Sequence, residues 1–202
     1  MTQYSLSCSN KSDLSGSFAV FQKPPPMTVP GNVFSLAWLA KPCHSGTTVT
    51  FEWTVDYNFV WSETGILQPG VKFKASESIA ADPNGRNLVQ LTMDEYGATH
   101  FQAPDDNGAL GSLTIRQLNN VVPHRTSVGV GMSGAGTFAI QAAPNMTAVF
   151  TPHPNYWVLF GNFEPGDVMD IADVTNAQEV TFGGSLTSRA AVLNLDNLIS
   201  VS

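Results

Sequence analysis

Apolar and polar positions alternate without a break from Val49 to Trp61. Val49, Phe51, Trp53, Val55, Tyr57, Phe59 and Trp61 are apolar or aromatic, and Thr50, Glu52, Thr54, Asp56, Asn58, Val60 and Ser62 fall between them. Successive strand residues point to opposite faces, so the pattern predicts one extended ribbon with a greasy odd-numbered face. Shorter stretches of the same period recur at 3–8, 17–22, 71–75, 88–93, 98–102, 112–116, 127–142, 146–151, 156–160, 178–182 and 189–195. Turn signals such as Asn10-Lys-Ser-Asp, Asp82-Pro-Asn-Gly and Asp94-Glu-Tyr-Gly punctuate them. Residues 3–22 and 88–102 read as hairpins, and Pro24-Pro25-Pro26 as a stiff connector. Val33 to Leu39 reads as a strand buried on both faces, and residues 167–178 are the best helix candidate, a short one. About a dozen strands with frequent turns predict an all-β fold, a single-domain antiparallel β-sandwich over residues 1–202.

Composition narrows the partners. Charged residues make up 12% of the chain, half the usual fraction of about 25%. The formal charge is −7, from 16 acids and 9 bases, and the bases are scattered singly. Neutralising phosphates takes clustered Lys and Arg, so nucleic acid and anionic membrane surfaces are not expected partners. No apolar run approaches the ~18 residues of a membrane-spanning helix. The first residues, MTQYSLSCSNKSDL, carry neither a basic nor an apolar leader region, so the expected location is cytoplasmic, with Cys8 and Cys43 as reduced thiols. Asn10-Lys-Ser and Asn145-Met-Thr match glycosylation acceptors, which carry no weight without secretion.

Motifs that would name a reaction fail on context. Gly129-Val-Gly-Met-Ser-Gly134 has dinucleotide-site spacing, but an alternating, strand-like segment follows where a helix is required. The bland reading is a strand pair in which glycines permit bulges or close contact. Ser133 misses the nucleophile-elbow pattern at its last glycine. His44, His100, His124 and His153 lack ligand-spaced partners apart from the adjacent Cys43-His44 pair, so neither a metal nor an organic cofactor is expected. Glu164, Asp167, Asp170 and Asp173 recur every three residues, which is not a calcium-loop spacing.

The remaining candidates are aromatic. Trp53, Tyr57, Trp61, Tyr156 and Trp157 form a candidate ligand surface, set against their ordinary use in a sandwich core. Asp56, Glu63 and His153 are the candidate acid–base groups. The sharp expectation is that Asp56 or Glu63 meets His153 and Trp157 around one pocket.

Four segments carry a family likeness: Ser35 to Trp38, Trp53 to Gly65, Gly131 to Phe138 and Phe150 to Trp157. Together they resemble the RhiA family, the rhizosphere-induced protein of rhizobia, over roughly residues 3–198. The resemblance implies a soluble protein without a leader, tied in rhizobia to a quorum-regulated operon. It implies no reaction and assigns no catalytic residue. The expected function is binding of a small molecule or glycan on the aromatic residues. The alternatives are a cofactor-independent enzyme acting on a natural product or plant metabolite, and a structural or self-assembling protein; homo-oligomerisation stays open.

Overall fold

The computed structural model describes residues 2–24, 31–170, 174 and 176–202. In chain order the strands are β1 (Gln3–Asn10), β2 (Gly16–Phe21), β3 (Phe34–Ser35), β4 (Leu39–Cys43), β5 (Thr48–Thr54) and β6 (Tyr57–Ser62). Then follow β7 (Glu77–Ala81), β8 (Leu88–Met93), β9 (Thr99–Phe101), β10 (Leu113–Gln117), β11 (Ser127–Met132) and β12 (Ala135–Gln141). The last are β13 (Thr147–Phe150), β14 (Tyr156–Gly161), β15 (Gln178–Val180), β16 (Ser188–Leu193) and β17 (Ile199–Val201). The chain is all-β, and no helix occurs among the described residues. Of the helix candidate at 167–178, residues 171–173 and 175 lie outside the described residues, and Val168 makes a β-bridge to Leu36.

Four sheets form, ordered β17-β16-β1-β5, β15-β14-β2-β4, β13-β10-β8-β9 and β3-β12-β11-β6-β7. Most pairings are antiparallel; β1–β16 and β8–β10 are parallel. The sandwich principle is used twice. The first two sheets enclose a core of Leu6, Cys8, Phe18, Val20, Phe51, Trp53, Tyr156 and Val158 among others. The other two enclose Phe59, Val89, Leu91, Ile115, Val128, Ile140 and Phe150 among others.

This double use explains where the alternating pattern succeeds and where it breaks. Val49, Phe51 and Trp53 face the first core and Phe59 and Trp61 the second, with half-buried Tyr57 packed against both. The odd-numbered face is therefore apolar throughout, but the ribbon is not one strand: it breaks at Val55-Asp56 and changes sheets. Ser133, at the β11–β12 turn, fills the break. Its amide donates to the Asp56 carbonyl at 3.1 Å, and its hydroxyl accepts from the Thr54 amide at 3.0 Å. Residues 3–22 likewise form a corner between facing sheets, not the expected hairpin. Buried Asn10 builds that corner, accepting from Ser12 and donating to the Leu14 and Cys43 carbonyls. Satisfying both ends of a buried amide in this way leaves the Asn10 sequon no free nitrogen.

The Gly-rich segment holds a close strand contact. A Cβ on Gly129 would lie 1.9 Å from the Phe138 carbonyl oxygen, and one on Gly131 1.7 Å from that of Ala135. A register shift between Val130 and Gly131 marks a bulge. Ser133 and Gly134 close the turn with φ of 51° and 77°, the left-handed pair favoured by tight hairpins.

Trp53 is 2% exposed. It meets Tyr4, Trp38, Tyr156 and Phe182 at ring-centroid distances of 5.0–6.2 Å. Trp53→Ala should cost about 3–5 kcal/mol through lost burial and a cavity, read as a lower urea midpoint. A midpoint unchanged from the parent would remove Trp53 from the core.

Burial pushes the Cys8 thiol up to about 12, with the Cys43 thiol adding to the rise. Burial also pushes the Tyr57 phenol up to about 12, with Tyr156 adding to it. The folded state holds these protons more tightly than the unfolded chain does. Their contribution is therefore complete below the ordinary thiol and phenol values, about 8.5 and 10, and is lost as pH rises towards the folded ones. Urea midpoints should fall between pH 8 and pH 11, and Cys8→Ala should flatten that fall. An equal slope in the variant would discard the assignment.

Candidate functional site

The aromatic candidates divide by strand parity. Trp53 and Tyr156 are walled into the first core. Trp157 lies on the opposite face of β14, half-buried, with Lys23 Nζ 3.3 Å from its ring centroid. Tyr57 and Trp61 lie near opposite ends of the same strand, β6. Each lines a different cleft.

The first cleft lies where the two cores meet. Tyr57, Gln22, Met132, Phe138, Phe150 and His153 are among its lining residues. Tyr57 and His153 thus share a pocket, and no described residue bonds to either side chain's polar atoms. Asp56 lies beside it in the chain but does not line it. Its carboxylate is taken by the hydroxyls of Thr54 and of Ser133, the latter at 3.2 Å. The cleft volume is about 20 Å³, room for about one water.

The second cleft lies at the other end of β6. Its lining is Trp61, Glu63, Gly97, Ala98, Thr99, Arg125 and Thr126, and its volume is about 290 Å³. Drug-sized ligands usually sit in pockets from about 300 Å³ upward, so only this one of the two is ligand-sized as it stands. Glu63 and Arg125 are exposed, and neither side chain makes a hydrogen bond or ion pair with a described residue.

Three local features build this cleft. Gly65 lets the chain after β6 pass against the loop before β11: a Cβ there would lie 1.8 Å from the His124 carbonyl oxygen. That close approach brings Glu63 and Arg125 to one opening. The Glu77 carboxylate accepts from the Trp61 indole at 2.7 Å and from the Phe101 amide at 3.0 Å. Because β7 and β9 belong to facing sheets, Glu77 clamps the sandwich edge beside the cleft. Finally, Ser127 pairs with Ser62 across β11 and β6, which sets Thr126 and Arg125 level with Glu63.

The structure therefore brings Trp61 together with Glu63, and Tyr57 together with His153. It does not bring Glu63 to His153. Asp56 and Glu63 flank the whole of β6, a span of roughly 23 Å at strand rise. Arg125, Glu77 and the 97–99 turn are absent from the sequence-derived site. Arg125 is one of nine scattered bases and carries no local signature. The Asp-Glu-Tyr-Gly turn was legible as a turn, not as a cleft wall. Among the described residues, no group of three or more His, Cys, Asp or Glu could hold a metal ion, and no helix is long and apolar enough to cross a membrane. Asp173 lies outside the described residues.

Fold and site together define an all-β protein with a cleft of about 290 Å³ at one end of β6, lined by Trp61, Glu63 and Arg125 among others. Comparison with known proteins gives the lineage: the chain belongs to the RhiA family, whose profile matches residues 1–202. It is 42% identical over 200 residues to Protein RhiA of Rhizobium leguminosarum bv. viciae, covering 97% of this chain and 84% of that protein. No solved structure matches.

Removing the Glu77 carboxylate leaves two N–H groups unpaired at a partly buried edge. Glu77→Ala should cost about 1–3 kcal/mol and speed amide exchange at Phe101. Unaltered exchange there would show that the clamp is not needed.

Proposed function

We propose that this protein binds a small polar molecule in the Trp61–Glu63–Arg125 cleft. The observation that carries the reading is a carboxylate and a guanidinium lining one ligand-sized cleft without pairing. Opposite charges so placed on a surface ordinarily meet each other or face open water. Held apart on one opening, they offer an acceptor and a rigid fork of donors to a third party.

Binding fits this lining better than catalysis does. The cleft walls hold no histidine, cysteine or lysine to act with Glu63. Asp56, the other candidate acid, spends its carboxylate on the hydroxyls that lock the β5–β6 break. A pocket with few placed polar groups is the usual form of a recognition site.

The test is a thermal-shift and calorimetry screen with amino acids, sugars, sugar acids and small carboxylates. A ligand present at 100 times its Kd should stabilise the protein by about 2.7 kcal/mol. Arg125→Ala and Glu63→Gln should abolish that shift and leave the unliganded melting temperature in place, because neither side chain holds the fold. Ligand binding that survives both variants, or no binding across the screen, overturns the reading.

A further inference from the structure

We infer that the cleft receives the end of a neutral saccharide, and that Tyr96 is its stacking platform. This inference rests on the binding reading above and adds the ligand class and the residue that selects it. The first observation is exposure. Tyr96 is 88% exposed, more than any other large hydrophobic side chain described. It makes no ring contact, cation contact or side-chain hydrogen bond with a described residue. Burying a ring of this size against a ligand would remove apolar surface from water, a gain that the fold itself does not take.

The second observation is rigidity. Tyr96 sits at the tip of the β8–β9 hairpin, and one side chain locks that tip. The Asp94 carboxylate accepts from the Tyr96 and Ala98 amides at 2.9 and 2.8 Å. The Asp94 amide donates to the Ala98 carbonyl at 3.0 Å, and the Gly97 amide to the Asp94 carbonyl at 3.1 Å. Gly97 takes φ +81°, which the turn requires. An aromatic carried on a fixed turn loses little freedom on binding, the usual economy of a recognition loop.

The third observation is position. The residues after Tyr96, Gly97 to Thr99, form one wall of the cleft. Arg125 Nη1 lies 3.9 Å from where a Cβ on Gly97 would stand. Tyr96 does not line the cleft itself, but the turn that carries it leads directly into the wall shared with Arg125 and Glu63. A ligand that meets both must donate to Glu63 and accept from Arg125. Hydroxyl groups do both, and the balanced pair of charges favours a ligand without net charge. An apolar ring beside them asks for an apolar face on the same molecule. A pyranose supplies both: hydroxyls around its edge and C–H bonds on its face. A free amino acid would satisfy the two charges but leave the platform unused.

The experiment uses the full chain with cellobiose and maltotetraose as neutral probes, digalacturonate as an acidic one, and glycine and glutamate as zwitterionic controls. Binding is read by saturation-transfer NMR and calorimetry. A neutral saccharide should bind. Tyr96→Ala should weaken it by about tenfold or more, and Tyr96→Phe should keep it within about threefold, because the ring face and not the hydroxyl carries the contact. Melting temperatures of both variants should equal the parent's, and His153→Ala, at the other end of β6, should bind as the parent does. Saccharide binding indifferent to Tyr96→Ala overturns the inference. So does binding confined to the amino acids or digalacturonate through Arg125 and Glu63, an outcome that keeps the broader reading. Silence across every probe removes both.

Discussion

The arrangement depends on a two-residue crossing. At Val55-Asp56 the longest alternating segment leaves one sandwich and enters the other, and at that point its backbone has no neighbouring strand to bond. Unpaired backbone groups in a half-buried crossing are costly. The β11–β12 turn supplies the partners: the Ser133 amide and hydroxyl take the places a strand would fill, and the Asp56 carboxylate holds the hydroxyls of Ser133 and Thr54. Trp38 reinforces the junction by donating its indole N–H to the Met132 carbonyl at 2.9 Å. Because the crossing preserves odd–even parity, Trp53 and Trp61 lie on the same face of the sequence yet are buried in different cores.

Parity also explains the mixed success of pattern reading. The all-β class was legible because strand period and turn residues agree along the whole chain. The Gly129–Gly134 strand pair was legible because an alternating segment follows it where a helix would be needed. The two-core layout was not, since alternation reports which residues share a face and not what that face meets. The sheet containing β6 is buried on both faces: Val60 and Ala139 pack outward against Leu36, Leu67, Phe73 and Val168. The sheet containing β2 is covered too, with Ala19, Phe21 and Leu159 against Ala37 and Met169. Runs such as Phe59-Val60-Trp61 and Phe18-Ala19-Val20-Phe21 record this double burial.

The candidate cleft was legible in part. Trp61 and Glu63 were visible because Trp61 ends the apolar face of the alternating ribbon and Glu63 takes the next position of the same parity. Their partners were not, because a cleft at a strand end is assembled by long-range pairing. Arg125 comes to the same cleft as Glu63 through the β6–β11 register and the close passage of Gly65 against His124. No spacing rule along the chain encodes that meeting. Tyr57 and His153 met for a similar reason, through the loop that joins β13 to β14, but the space between them is water-sized.

A charge-poor surface gives the cleft its weight. The ion pair of Lys72 with Glu164 lies beside the bridge between Lys72 and Asp167 and ties two loops to each other. Cohesion elsewhere comes from apolar burial and from single carboxylates or amides that each serve several backbone donors, as Asp94, Glu77 and Asn10 do. In such a protein most charged groups that matter to the fold are already bonded. Glu63 and Arg125 are charged, share a cleft and hold nothing, and Tyr96 is aromatic, rigidly presented and covers nothing. The binding proposal rests on these three side chains: two line one cleft, and the third sits on the turn that leads into its wall.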